Sequence, residues 1–117
     1  MSSLTAKAFV CHCMDLRIQQ TVENLLRSLG IALGEFDRVS VAGGAGNFAS
    51  LNEHLAVSFR LHNPQEIILT IHEDCGAGAT KNDFAEAFRL SHQYTENTRA
   101  FFINLDGTWE EIRQMGL

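Results

Sequence analysis

Four short stretches rich in strand-forming residues recur along the chain at residues 7–12, 36–42, 66–71 and 99–105. They contain mainly β-branched, aromatic and other apolar residues, which fit the pleated surface of a strand. The third stretch is apolar almost throughout, as expected for a strand that is covered on both faces. The pattern therefore predicts four strands, most of them buried.

Between these stretches, apolar residues repeat at the spacing of a helix. Residues 18–29, 47–61 and 80–95 each carry an apolar stripe, with Leu51 and Leu55 among the stripe residues of the second segment. A stripe of this kind packs one face of a helix against a core. Three amphipathic helices are therefore predicted to lie between the strands.

Strands and helices thus alternate, and a short fourth helix is predicted to follow the last strand, because Thr108 and Glu111 have the spacing of a capping box. The alternation predicts an α/β fold with a four-stranded parallel sheet and helices on both faces. Ligands bind such sheets beyond the carboxyl ends of the strands. We therefore expect the segments 13–17, 43–47 and 72–76 to converge at one edge.

Composition restricts the class of protein. The chain has 117 residues, which we interpret as a single α/β domain spanning 1–117, and its formal net charge is -5. An acidic chain without a basic run is a poor partner for nucleic acid or an anionic membrane. It contains no apolar stretch long enough to span a bilayer. We therefore expect a cytoplasmic protein that acts on a small molecule.

The three cysteines and one histidine supply the candidate metal chemistry. His72 and Cys75 are three residues apart after the third predicted strand, and Cys13 directly follows the first. A catalytic zinc site has three protein ligands and one open position, and it favours cysteine sulfur and histidine nitrogen. We therefore predict that Cys13, His72 and Cys75 bind Zn²⁺. Cys11 lies inside the strand, and we interpret it as a small buried hydrophobic residue.

Two further motifs lie beside these residues. Asp15 could accept a hydrogen bond from a metal-bound hydroxide, and Arg17 could hold that carboxylate by a forked, charge-assisted pair.

The segment 44–49 fits the G-x-G-x-x-A dinucleotide pattern but follows the second strand instead of the first. A small nucleotide-binding module is therefore one alternative, and a tight turn close to the site is the other.

Taken together, Cys13-x-Asp15-x-Arg17 and, about sixty residues later, His72-x-x-Cys75-Gly76 resemble the β-class carbonic anhydrases, and Ala45-Gly46 resembles an element between these motifs. The resemblance implies Zn²⁺ on Cys13, His72 and Cys75, with Asp15 and Arg17 as a catalytic dyad. It implies a lyase that hydrates carbon dioxide reversibly to bicarbonate by zinc-bound hydroxide, in a homodimer or larger homo-oligomer. Gly44, Ala45, Gly46 and Gly76 would line the substrate pocket.

The chain also departs from the family pattern. It is short and lacks the N-terminal helical arm, it has Gly43-Gly44 where Arg-Asn is common, and Leu16 replaces a small hydroxyl residue. These departures lead to one alternative, a zinc-binding family member without hydratase activity. The resemblance implies another, a hydrolase of carbonyl sulfide or carbon disulfide, because some relatives act on these molecules with the same site.

Overall fold

The computed structural model describes residues 4–113, which form an α/β fold around one sheet. The strands are β1 (Ala8–Cys13), β2 (Phe36–Val41), β3 (Ile67–His72), β4 (Thr98–Ile103) and β5 (Trp109–Ile112). They lie in the order β2-β1-β3-β4-β5, with β1 to β4 parallel and β5 antiparallel to β4. The predicted parallel sheet of four strands is confirmed, and a fifth strand extends it.

Helices cover both faces of the sheet, as predicted. They are α1 (Gln19–Ser28), α2 (Phe48–His62) and α3 (Phe84–His92). Leu25 of α1 belongs to an apolar cluster on one face, and Leu51 of α2 belongs to the cluster on the other face together with α3. None of the helices within residues 4–113 combines the length and the apolar content needed to cross a membrane.

Short 3₁₀ turns at Leu16–Ile18, Gly44–Gly46 and Lys81–Asp83 lead into the three helices. The last of these turns begins with a capping box, in which the Asp83 carboxylate accepts a hydrogen bond from the Thr80 backbone N–H at 2.9 Å. The Thr80 hydroxyl in turn accepts a hydrogen bond from the backbone of the turn, and the two bonds together satisfy donors that a helix leaves unpaired at its start. The first two turns follow β1 and β2 directly, so each places polar atoms at the carboxyl edge of the sheet.

The predicted fourth helix is wrong, because residues 109–112 form β5. The Thr108 hydroxyl donates to the Asp106 carboxylate at 2.6 Å and therefore closes a turn instead of capping a helix. Trp109 then lies opposite Ile103 of β4 and packs against the apolar cluster on the α1 face. Pairing with an open strand edge and burial of the indole outweigh a four-residue capping signal without an apolar stripe.

Candidate metal centre

The candidate metal ligands meet at the carboxyl edge of the sheet. Cys13 is the last residue of β1 and His72 is the last residue of β3, and the two strands are parallel neighbours. Cys75 returns to them after a turn of two residues. The two Sγ atoms and the ligand nitrogen of His72 all lie within 4.8 Å of one another. The convergence predicted from the alternation of strands and helices is therefore present.

His72 is prepared for metal binding by its own hydrogen bond. Its Nδ1 lies 2.7 Å from the carbonyl oxygen of Glu73, and a carbonyl can only accept, so Nδ1 carries the proton. Nε2 then presents a lone pair. This atom is buried and has no hydrogen-bond partner within residues 4–113. A buried nitrogen left without a partner beside two cysteine sulfurs fits a metal ligand, whose other ring nitrogen characteristically donates to a carbonyl.

The remaining cysteine is kept apart from the group. Cys11 is fully buried in the cluster between the sheet and α2, whereas Cys13 packs with the cluster on the α1 face. Burial raises the pKa of the Cys11 thiol to about 12, with a smaller contribution from Cys13. A thiol with this pKa remains protonated at neutral pH and is a poor ligand. The structure therefore agrees with reading Cys11 as a core residue.

Asp15 and Arg17 form a forked ion pair beside the three ligand residues. Asp15 accepts hydrogen bonds from the Arg17 backbone N–H at 2.8 Å, from Nε at 3.1 Å and from Nη2 at 2.7 Å. These bonds lower the pKa of the Asp15 carboxyl to about 2. The nearer Asp15 oxygen lies 3.7 Å from Nε2 of His72, which is too far for a hydrogen bond. The carboxylate is therefore ionised, adjacent to the ligand group and held by the arginine.

The two acidic residues between His72 and Cys75 also have partners, although the sequence gives them the appearance of solvent-facing spacers. Glu73 accepts a hydrogen bond from the Leu105 backbone N–H at 2.8 Å and so ties the loop after β3 to the loop after β4. Asp74 accepts from Nη1 of Arg17 at 3.1 Å, and its carbonyl oxygen accepts from Nη2 at 3.0 Å. No local pattern reports these contacts, because their partners lie tens of residues away.

The glycine loop, residues 43–47, packs directly against β1 and β3, the two strands that end in Cys13 and His72. Gly44 has a φ of +54°, and a Cβ added there would lie 2.7 Å from the carbonyl oxygen of Thr70 and 2.9 Å from the backbone nitrogen of Cys13. A side chain at this position therefore meets backbone on both β1 and β3. Ala45 is fully buried in the core, whereas Gly76 is exposed. This geometry agrees with reading 43–47 as a tight turn against the site.

Two exposed apolar residues are chain neighbours of Asp15. Met14 is 60% exposed and Leu16 is 81% exposed, and these two residues flank Asp15 in the chain. Among the other histidines, the His54 ring bonds to the Ser50 backbone and the His62 ring bonds to Asp37, and neither belongs to the ligand group. Two exposed apolar side chains therefore adjoin Asp15 in the chain, next to the arginine and the two carboxylates.

Comparison with known proteins gives the fold. Three solved structures align over nearly all of this chain. The carbonic anhydrase of Streptococcus mutans has a TM-score of 0.63 at 21% identity, covering 97% of this chain and 86% of its own. The β-carbonic anhydrase isoform I of Trichomonas vaginalis has a TM-score of 0.64 at 18% identity, with coverages of 96% and 85%. The carbonic anhydrase of Glaciozyma antarctica gives 0.63 at 16%, with the same coverages of 96% and 85%.

The chain therefore has the fold of the β-carbonic anhydrases, with a cysteine–histidine–cysteine group that can hold a metal ion at the carboxyl edge of its sheet. No protein-family model and no curated protein matches the sequence. The likeness thus concerns the fold, and function has to be argued from the site.

Proposed function

We propose that this chain is a zinc-dependent carbonic anhydrase that converts carbon dioxide and water reversibly to bicarbonate and a proton. The observation that carries the proposal is the unpartnered, buried Nε2 of His72 lying with the sulfurs of Cys13 and Cys75 beside the Asp15–Arg17 pair. Residues 1–117 would form one zinc-binding domain, in line with the fold of the structural neighbours.

Each residue has a separate task in this proposal. Cys13, His72 and Cys75 would hold Zn²⁺, whose Lewis acidity would make a water molecule nucleophilic near neutral pH. Asp15 would accept a hydrogen bond from that nucleophile and so direct an oxygen lone pair at the carbon of carbon dioxide. The low pKa of its carboxyl keeps Asp15 ionised and able to accept throughout the neutral range.

Arg17 has a positioning task. It donates to both oxygens of Asp15 through Nε and Nη2, which fixes the plane of the carboxylate. Without this fork, the ionised carboxylate could turn toward the metal and occupy the position that the water needs. A forked guanidinium is suited to the task because its donors match both carboxylate oxygens at once, which a lysine ammonium cannot do.

The experiment combines metal analysis with a stopped-flow assay of carbon dioxide hydration that uses a pH indicator. The wild type is compared with Asp15→Ala and with Glu86→Ala, which removes an exposed ion pair to Arg89 on α3. We expect one zinc ion per site, a rate for Asp15→Ala at least about tenfold lower, and no change for Glu86→Ala. Equal rates for the wild type and Asp15→Ala would remove Asp15 from the mechanism.

A second candidate in the same chemical class is the hydrolysis of carbonyl sulfide or carbon disulfide. The exposed apolar side chains of Met14 and Leu16 next to Asp15 suit an apolar substrate, and these two molecules share that property with carbon dioxide. Both are neutral and have a central carbon open to attack by hydroxide. Assay of all three substrates on zinc-loaded protein separates the candidates, and bound zinc without turnover of any of them would favour a zinc protein without hydratase activity.

We also propose a cytoplasmic homo-oligomer. Cys13 and Cys75 are free thiols within reach of each other, and a reducing compartment keeps such a pair available for metal. The exposed Met14 and Leu16 side chains would be covered in part by a second copy. Light scattering on the zinc-loaded protein measures the mass directly, and a monomer at micromolar concentration would contradict the assembly.

A further inference from the structure

Arg17 is shared by two carboxylates that come from different loops. Its Nε and Nη2 groups donate to Asp15, its Nη1 group donates to Asp74 at 3.1 Å, and Nη2 also donates to the Asp74 carbonyl at 3.0 Å. A guanidinium has five N–H groups, and these contacts use four of them. The arginine that holds Asp15 is therefore itself held by Asp74.

The turn before Cys75 sets the position of Asp74. Asp74 has a φ of 56°, in the left-handed region that aspartate and asparagine tolerate better than most residues. This turn returns the chain so that Cys75 reaches the ligand group, and it also aims the Asp74 side chain and carbonyl at Arg17. The loops after β1 and β3 are thus joined through Arg17.

The two carboxylates around Arg17 affect its ability to bind anions. A free guanidinium beside the candidate centre would recruit anions through a bidentate pair. Here two carboxylates surround the single guanidinium, so the three side chains together carry one negative charge, and most of the donors that an anion would need are already occupied.

We propose that Asp74 is a positioning residue for Arg17, which keeps the guanidinium clamped on Asp15 and lowers its affinity for anions. The inference rests on the proposed function, since it concerns the dyad of that same site. It goes beyond that function because it assigns a task to a residue that is neither a metal ligand nor a member of the dyad.

The competing interpretation is a solvent-exposed ion pair without effect. The Asp74 side chain is 76% exposed, and exposed pairs contribute little to stability. The two interpretations differ in what they predict for Arg17, because an inert pair would leave both the mobility of the guanidinium and its affinity for anions unchanged. The experiment therefore measures Arg17 itself and not the stability of the fold.

The test uses the zinc-loaded protein and nuclear magnetic resonance of the Arg17 side-chain Nε–H group. Asp74→Asn retains a residue that tolerates the left-handed turn but removes the charge, Asp74→Ala removes the polar group as well, and Glu86→Ala is the matched control for loss of an exposed carboxylate paired with arginine. Hydrogen exchange of Nε–H reports how firmly Arg17 is held, and a series of iodide additions followed at the same signal reports anion affinity.

We expect exchange to accelerate about two- to fivefold in Asp74→Ala, in keeping with the loss of an exposed pair. We expect iodide to bind about two- to fivefold more tightly in both Asp74 variants than in the wild type and Glu86→Ala. On the same samples, iodide should inhibit carbon dioxide hydration more strongly in the Asp74 variants. Unchanged exchange in Asp74→Ala, or unchanged iodide affinity in Asp74→Asn, would overturn the inference.

The two proposals fail in different ways. A zinc-loaded wild type without hydration activity would refute the proposed function, yet the exchange and iodide measurements would still decide the role of Asp74. Activity in the wild type together with wild-type exchange and iodide affinity in both Asp74 variants would refute the role of Asp74 and leave the proposed function standing.

Discussion

Gly44→Ala tests how closely the glycine loop supports the candidate centre. The added Cβ would lie 2.7 Å from the carbonyl oxygen of Thr70, 2.9 Å from the backbone nitrogen of Cys13 and 3.2 Å from the carbonyl carbon of His12. Contacts under 3.0 Å with backbone cannot be relieved by turning a side chain. One of the strands, or the loop itself, therefore has to move, and Cys13 moves with it.

The expected loss in the free energy of unfolding has two parts. An L side chain in the left-handed region costs roughly 1–2 kcal/mol. Forcing a methyl group into packed surroundings costs about 1–3 kcal/mol more, so Gly44→Ala should lower the free energy of unfolding by about 2–5 kcal/mol. Gly30→Ala is the matched control, because Gly30 has a φ of +73° and nothing within 4 Å of the added Cβ. This control should show the conformational cost alone.

Urea unfolding at saturating zinc measures the free energy of unfolding of both variants, and zinc competition with a chelator measures metal affinity. The difference between the variants should be about 1–3 kcal/mol, and any loss of zinc affinity in Gly44→Ala adds to it. Equal unfolding free energies and equal zinc affinities for the two variants would refute the argument that this loop supports Cys13.

Three further predictions concern the site. Cys13→Ser should lower zinc affinity by more than about 100-fold, whereas Cys11→Ala should retain zinc and lose only about 0.5–3 kcal/mol of stability; equal zinc loss in both would contradict the ligand assignment. Carbon-13 resonances should show Asp15 titrating near pH 2 in the wild type and closer to 4 in Arg17→Lys. The pKa of Asp15 is lower in the folded chain than in the unfolded chain. The stability that Asp15 contributes is therefore present above about pH 4 and is lost as the pH falls toward 2. A wild-type midpoint near about 4 would refute the pairing with Arg17. Nitrogen-15 spectra should show the proton of His72 on Nδ1, with zinc shifting the Nε2 resonance; a proton on Nε2 would contradict the assigned tautomer.

The sequence predicts the position of the site well because few physical facts fix it. Parallel strands that are joined by helices place their carboxyl ends along one edge, so Cys13 and His72 must come near each other if β1 and β3 are neighbours. The rule needs no knowledge of side-chain contacts. A strand boundary that is wrong by one residue, as at the start of β1, does not disturb it.

Long-range contacts of single side chains cannot be predicted from the order of strands and helices. Asp74 contacts Arg17 across 57 residues, and Glu73 contacts Leu105 across 32. Nothing in the motif His72-Glu73-Asp74-Cys75 distinguishes these carboxylates from solvated spacers. The only local signal is that Asp74 belongs to a residue type that tolerates a positive φ, and this indicates a tight turn without naming a partner.

The fifth strand shows why an error in one element can leave a site prediction intact. Thr108 and Glu111 satisfy the local pattern of a helix start, but a helix also needs an apolar face, and 109–112 offer only Trp109 and Ile112. The exposed edge of β4 offers backbone partners to any segment that follows a tight turn, and the indole gains burial by pairing there. Because β5 lies at the outer edge of the sheet, beyond β4, its pairing leaves the junction of β1 and β3 unchanged. The predicted position of the site therefore depends on the centre of the sheet, where parallel strands bring their carboxyl ends together, and does not depend on the edge strand β5, where local signals compete.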